Sequence, residues 1–362
     1  MTFVDTNILL YAISTHSEEA EKTRTAKTIL SDPNSSPKTL ILMKPLLFIF
    51  CLLALAHPGL AKDAPDVFRQ ENLDAWCIVP FDARKRGPEE RAQMLKSLGL
   101  TKLAYDYREE HVATFDAEVE AMKRHGIEFT AWWFPGTLTA EGRLILDVIA
   151  RHGITPQLWI TGSGETPADE TARSAMIEAE AARIRPIALA AAPLGCSVAL
   201  YNHGGWFGEP ENQISIIERL QRDGIKNVGL VYNFHHGHSH LSRFADMWQS
   251  MRPHLLAVNL NGMVVNGDQT GQKIMHLGEG DQELGMMRII RDSGWQGPVG
   301  IIDHRPETDS ENTLRDNLRG LHWLRQELAA PGSGGPPPFP PKPESSPAKD
   351  APAAPSTPQK AA

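Results

Sequence analysis

The chain has 362 residues and a formal net charge of -8, long enough for one large core or two small ones. That acidic balance excludes a general binder of phosphate backbones, which needs a basic face. The three cysteines, Cys51, Cys77 and Cys196, include no CxxC pair; this excludes a disulfide framework and a thiolate zinc site.

Residues 1–42 read as a separate piece. MTFVDTNILLYA is an apolar strand broken by Asp5 and Asn7, followed by a polar helical stretch. It resembles the opening of PIN-domain nucleases, and the resemblance implies a metal-binding aspartate at Asp5. The further carboxylates of such a nuclease are missing, so the expectation is an inactive remnant or a misplaced start codon. From Met43, MKPLLFIFCLLALAHPGLAKDA joins a lysine, a short apolar run, Pro58-Gly59 and small residues up to Ala61. That is the layout of a secretory signal peptide over 43–61. Translation from Met43 then predicts a secreted or periplasmic product, and the apolar run is too short for a stable membrane span.

From 62 to 330 the pattern alternates. Strand candidates at 73–80, 103–107, 127–134, 155–161, 196–202, 227–234, 255–262 and 298–303 are each followed by a helical pattern, the last over 309–328. Short apolar strands separated by amphipathic helices are what a parallel barrel demands. Eight such units match an α/β fold of the (β/α)8 TIM-barrel type, whose usual size is roughly 250 residues. The rival, a doubly wound open sheet, needs fewer units, and no Gly-rich phosphate loop supports it. After 330 the chain becomes proline-rich with few large apolar residues, which predicts a disordered tail over 331–362.

Barrel enzymes place their chemistry at the carboxyl ends of the strands. Here those ends supply Asp106 and Arg108, Trp132 and Trp133, Trp159, then Tyr201, Asn202, His203 and Trp206. Asn233 and His236, Asn259 and Asn261, and Asp303, His304 and Arg305 complete the set. Trp132, Trp133 and Trp159 are expected to pack the barrel against its helices. Trp206, among glycines in a loop, suits stacking on a sugar or a lid. His125 and His152 precede helix-ending glycines, where an imidazolium favours the helix C-terminus. His238 and His240 are expected to be solvated or to cap the next helix.

These strand ends, and the Asn233-Phe234-His235-His236 segment in particular, resemble the xylose isomerase-like barrels, a superfamily of sugar isomerases, ketose epimerases, inosose dehydratases and endonuclease IV-type enzymes. In the epimerases the resemblance implies a divalent metal held by a glutamate, an aspartate, a histidine and a glutamate after strands five to eight. Carried over, those positions fall on Tyr201, Asn233, Asn259 and Asp303, while a substrate-binding histidine is kept as His236. Neutral amides and a phenol are weak partners for a hard cation, so the metal site reads as degenerate. An alternative set for zinc or iron would be His203, His236, Asp303 and His276.

The sequence therefore predicts a carbohydrate or polyol ligand and no nucleic acid. Chemistry would be proton transfer next to a carbonyl, with His203 or His236 as acid or base and Asp303 as partner. Asn202, Trp206, Asn233, Asn259 and His304 would contact substrate. The alternative is a non-catalytic carbohydrate-binding relative.

Overall fold

The structure, a computed structural model, describes residues 66–339. The PIN-like and signal-peptide readings, and the tail beyond 339, lie outside these residues. The chain divides between Ala64 and Pro65 into two units, and everything described belongs to the second.

In that unit strands and helices alternate: β1 (Leu73–Trp76), α1 (Pro88–Ser97), β2 (Lys102–Tyr105), α2 (Phe115–Arg124), β3 (Glu128–Trp133), α3 (Ala140–His152), β4 (Gln157–Ile160) and α4 (Glu170–Ala191). Then come β5 (Val198–Tyr201), the short α5 (Gly205–Gly208), α6 (Pro210–Arg222), β6 (Val228–Asn233), α7 (Phe244–Met251), β7 (Leu255–Leu260), α8 (Glu283–Asp292), β8 (Val299–Ile302) and α9 (Ser310–Ala329). All eight strands pair in parallel and β8 closes on β1. Closure excludes the open sheet, and the predicted strands all exist, each one to four residues shorter than its apolar run.

Side-chain alternation splits the apolar residues into two cores. Outward residues such as Leu103, Leu158, Leu200, Leu230 and Ile301 pack under the helices. Inward residues form a second cluster of Trp76, Ala104, Ala131, Trp159, Ala199, Tyr201, Val231, Ala257 and Ile302. The alanines on β2, β3, β5 and β7 leave room for the indoles of Trp76 and Trp159, which meet edge-on at 4.6 Å. The barrel is thus filled by alternating small and large side chains and is no pore. Of the three tryptophans expected against helices, Trp132 is there, beside Phe115 at 5.0 Å. Trp133 and Trp159 instead face the interior cluster, because their positions have the inward parity of their strands.

The base of the barrel is polar but paired. Thr130 Oγ1 donates to Asp74 at 2.9 Å, and Gln157 Nε2 donates to Leu256 O at 3.0 Å. His125 and His152 end α2 and α3 and pair with Glu89 and Asp116, each at 2.7 Å, a structural role as expected.

The first part of the predicted tail is ordered. Glu327 accepts the amides of Gly332 at 2.8 Å and Gly334 at 2.7 Å, and the Phe339 ring lies 4.8 Å below the Arg319 guanidinium. These contacts join the stretch from Gly332 to Phe339 to α9.

Candidate ligand site at the barrel mouth

Beyond the carboxyl ends of the strands, aromatic rings line the mouth. Trp133 packs 5.1 Å from Tyr201 and 6.1 Å from Trp76, and Trp76 Nε1 donates to Tyr201 Oη at 3.3 Å. Tyr201, the last residue of β5, points inward and is 2% exposed. Above it the imidazoles converge. His236 lies 4.6 Å from His203, 3.9 Å from His235 and 5.8 Å from Tyr201, ring to ring. His304 stacks on Phe81 at 4.0 Å and lies 6.0 Å from His235.

His304 reaches this position through the backbone. It has φ 53°, and Cys77 at the end of β1 has φ 56°, both in the left-handed region that costs a non-glycine residue about 1–2 kcal/mol. Adjacent strands thus end in matching left-handed turns, linked by His304 N–H to Cys77 O at 3.3 Å.

These imidazoles are poor proton carriers as cations. Burial pushes His235 well below its usual pKa, and takes His236 to about 2, with Lys273 and neighbouring histidines adding to the effect. Desolvation in the mouth, then Lys273, also lowers His203, although its ring is open to solvent. His304 is lowered by burial, partly opposed by a backbone hydrogen bond. All four are neutral near pH 7 and act there as hydrogen-bond donors and acceptors.

The three asparagines form a ladder. Asn202 Oδ1 accepts from Asn233 N at 2.7 Å and Asn233 Nδ2 at 2.8 Å, while Asn202 Nδ2 donates to Asn233 O at 3.1 Å. Asn259 Nδ2 donates to Asn233 Oδ1 at 2.5 Å. All three are buried, so the amides expected to meet substrate serve one another across β5, β6 and β7. The exception is Asn259 Oδ1, buried without a partner.

Asp303 does not join the histidines. With Ile301 it shares the outward parity of β8, and its Oδ2 accepts from Ser310 Oγ of α9 at 2.5 Å. Burial raises its pKa to about 7 against the pull of the Ser310 and Thr313 hydroxyls. His276 is likewise elsewhere, 3.9 Å from Asp316 and beside Phe339. Among the described residues no group of three or more His, Cys, Asp or Glu could hold a metal ion. The alternative set of His203, His236, Asp303 and His276 is therefore not assembled. The Tyr201, Asn233, Asn259 and Asp303 positions do not fit a divalent cation either, since their amides are engaged and the carboxyl faces α9.

His238 and His240 correct their expectation, being 3% and 4% exposed. His238 bridges Val264 O at 2.9 Å and Lys273 O at 3.1 Å, and His240 meets Tyr232 Oη at 3.1 Å. They fasten the loop after β7 and the wall behind β6. Trp206 is buried against the Gly164 backbone, whose oxygen accepts its amide at 3.0 Å, which withdraws most of its face from a ligand.

The sequence shows a longer loop after β7, running to the helix at 281–292, but not what that loop holds in place. Asn261 Oδ1 accepts from Met275 N at 3.0 Å and its Nδ2 donates to Lys273 O at 2.9 Å. Buried Glu283 accepts Met263 N at 2.9 Å, Gly280 N at 3.0 Å and Gly278 N at 3.1 Å. So clamped, the loop packs Ile274 against the interior cluster and carries Lys273 to the mouth. The one available signal was the long stretch without periodicity after 262.

Two surface concavities, of about 550 and 250 Å3, lie elsewhere: one beside Trp248, Arg252 and Ile289, the other beside Met122, Ile127 and Ile154. Each is lined by one cation and one carboxylate, Arg252 with Asp292 and Lys123 with Glu128, and by no histidine, so the chemistry of the mouth decides the choice of site.

A scan of protein-family models gives no match, and a search of curated proteins gives none. Among solved structures, the IOLI protein with a binding zinc atom matches with TM-score 0.54 and 14% identity, over 71% of this chain and 98% of that one. A D-allulose 3-epimerase from Methylomonas sp. gives 0.53 and 12%, over 70% and 97%. A xylose isomerase domain containing protein from Salmonella typhimurium gives 0.52 and 12%, over 70% and 98%. These likenesses show the fold, a closed (β/α)8 barrel.

Proposed function

We propose that the barrel mouth binds a carbohydrate without the metal-held pair of carboxylates that the fold's epimerases employ. The observation that carries this reading is the asparagine ladder. Where the resemblance implies metal ligands, Asn233 and Asn259 bond to each other and Asn202, beside the inward ring of Tyr201. Half-buried Trp133 offers an apolar face for sugar C–H groups, and His203, His236 and His304 offer hydroxyl partners. The site is on this reading a degenerate one. The test is intrinsic tryptophan fluorescence during titration with a panel of aldoses and ketoses, with and without Mg2+, Mn2+ and Zn2+. Saturable binding unaffected by chelator is expected; binding or turnover that requires metal would sink the reading.

A second reading rests on the contact between His203 and His236. His203 would take the proton next to a carbonyl as a neutral base and return it to the carbon. The neutral His236 N–H would donate a hydrogen bond to the carbonyl oxygen without giving up its proton. This reading expects metal-independent incorporation of solvent deuterium into a bound ketose, abolished in His236→Gln. The segment from Met43 to Ala61 supports export when translation begins at Met43, and mass spectrometry of the native N-terminus checks it.

A further inference from the structure

We propose that the sugar bound at the mouth is an acidic one, its carboxylate or phosphate held by Arg108 and Lys273. This inference rests on the carbohydrate reading and adds the ligand's charge.

Arg108 follows β2, and its guanidinium lies 5.5 Å from the Phe81 ring, on which His304 is stacked. One nitrogen donates to the backbone oxygens of Asp106 at 3.0 Å and Tyr107 at 2.7 Å, which fixes the group without neutralising it. Lys273 comes from the opposite side of the mouth, on the clamped loop after β7. Its backbone oxygen is held by both Asn261 and His238. Neither side chain forms an ion pair with a carboxylate among the described residues; Asp268 acts on Lys273 from beyond pairing distance. Most arginines of the barrel do have such partners, as Arg86 has in Asp82 and Arg243 in Glu209; none of the described lysines is ion-paired, so the contrast singles out Arg108. Two cations without ion-pair partners beside four neutral imidazoles leave a positive potential at the mouth that favours an anion.

The remaining acid at the mouth supports this arrangement. Asp106 is 2% exposed, and burial raises its pKa to about 7; one of its oxygens accepts Val79 N at 3.3 Å and the other has no partner. It therefore offsets the cations only in part. His235 Nδ1 is likewise buried without a partner. Such orphaned groups at a mouth are those a polar ligand satisfies. A sugar acid fits: its ring on Trp133, its hydroxyls toward the imidazoles, its anionic oxygens toward the two cations.

The experiment titrates the full-length protein with glucose, galactose and mannose, their uronates, and their 6-phosphates, with inorganic phosphate as the sugar-free probe. At least one acidic sugar should bind tenfold or more tightly than its neutral parent, and weaken as salt rises. Lys273→Gln, at an exposed position, should remove most of that difference, and Arg108→Gln likewise. Whether uronates or phosphates gain tells which acid group is taken. Equal affinity for neutral and acidic sugars, unchanged in Lys273→Gln, overturns the inference and leaves the carbohydrate reading standing. No binding of any sugar overturns both. Inorganic phosphate binding as tightly as the sugar phosphates overturns the claim that the anion is part of a sugar.

Discussion

Asn259 on β7 stands directly opposite Gly300 on β8, and a Cβ at 300 would lie 1.9 Å from the Asn259 Oδ1 atom. Glycine at 300 is thus the space in which the last amide of the ladder stands. Gly300→Ala should force the amide off Asn233 and cost about 1–3 kcal/mol of stability. Urea denaturation measures it. A change below about 0.5 kcal/mol would mean that the ladder re-forms elsewhere.

Asn233→Asp probes the same ladder by charge. The new carboxylate could still accept from Asn259 Nδ2, but would lose the donor to Asn202 Oδ1 and place an anion beside that oxygen. A loss of about 3 kcal/mol at pH 8 is expected, smaller in acid where the carboxyl is protonated. A variant as stable as the parent at both pH values would contradict the hydrogen-bond assignment.

The loop after β7 depends on one buried carboxyl. Glu283→Ala removes the acceptor of three backbone amides, those of Met263, Gly278 and Gly280, worth about 1–3 kcal/mol together. Hydrogen exchange should accelerate over 263–280 while the strands keep their protection. Sugar affinity should fall with it, because Lys273 is carried on that loop. Uniform acceleration over the whole barrel would instead show that Glu283 supports the global fold.

Asp303 and His236 should bend the pH dependence of stability in opposite directions. The folded pKa of Asp303, about 7, lies above its ordinary 3.8, so the folded state holds the extra proton between those values. Its contribution therefore falls as pH rises from 4 to 7 and is level above. Asp303→Asn should gain on the order of 2 kcal/mol relative to wild type between pH 4 and pH 8. His236 is the reverse case, its folded pKa near 2 lying below the usual 6.5. Its contribution is complete above 6.5 and is lost as pH falls toward 2, so His236→Gln should flatten the acid limb. Parallel stability curves for wild type and both variants would contradict these environments.

The barrel was legible because strands buried on both faces read as apolar runs, and because the alternation with helices repeats without interruption. Much of the rim was legible too, since His203, His236 and His304 stand just past strand ends and converge. Direction was harder to read. Asp303 and His304 are adjacent, yet one faces α9 and the other the mouth; that follows from strand parity and a left-handed residue, which sequence spacing leaves undetermined. The asparagines illustrate a different limit. Polar residue types at the right positions predict hydrogen bonding, but whether to substrate or to each other depends on strand register. His238, Asn261 and Glu283 act across loops on backbone groups, and such contacts leave no local pattern.

The asparagine ladder also constrains how this barrel can change. Each amide satisfies the next, so replacing any one by an acid strands a donor or acceptor on its neighbour. A single such replacement therefore meets a stability barrier before any gain in cation binding appears. Only concerted replacement of neighbouring rungs would avoid that intermediate. The same unsatisfied intermediate lies on the path in either direction, so the rungs are bound to change together.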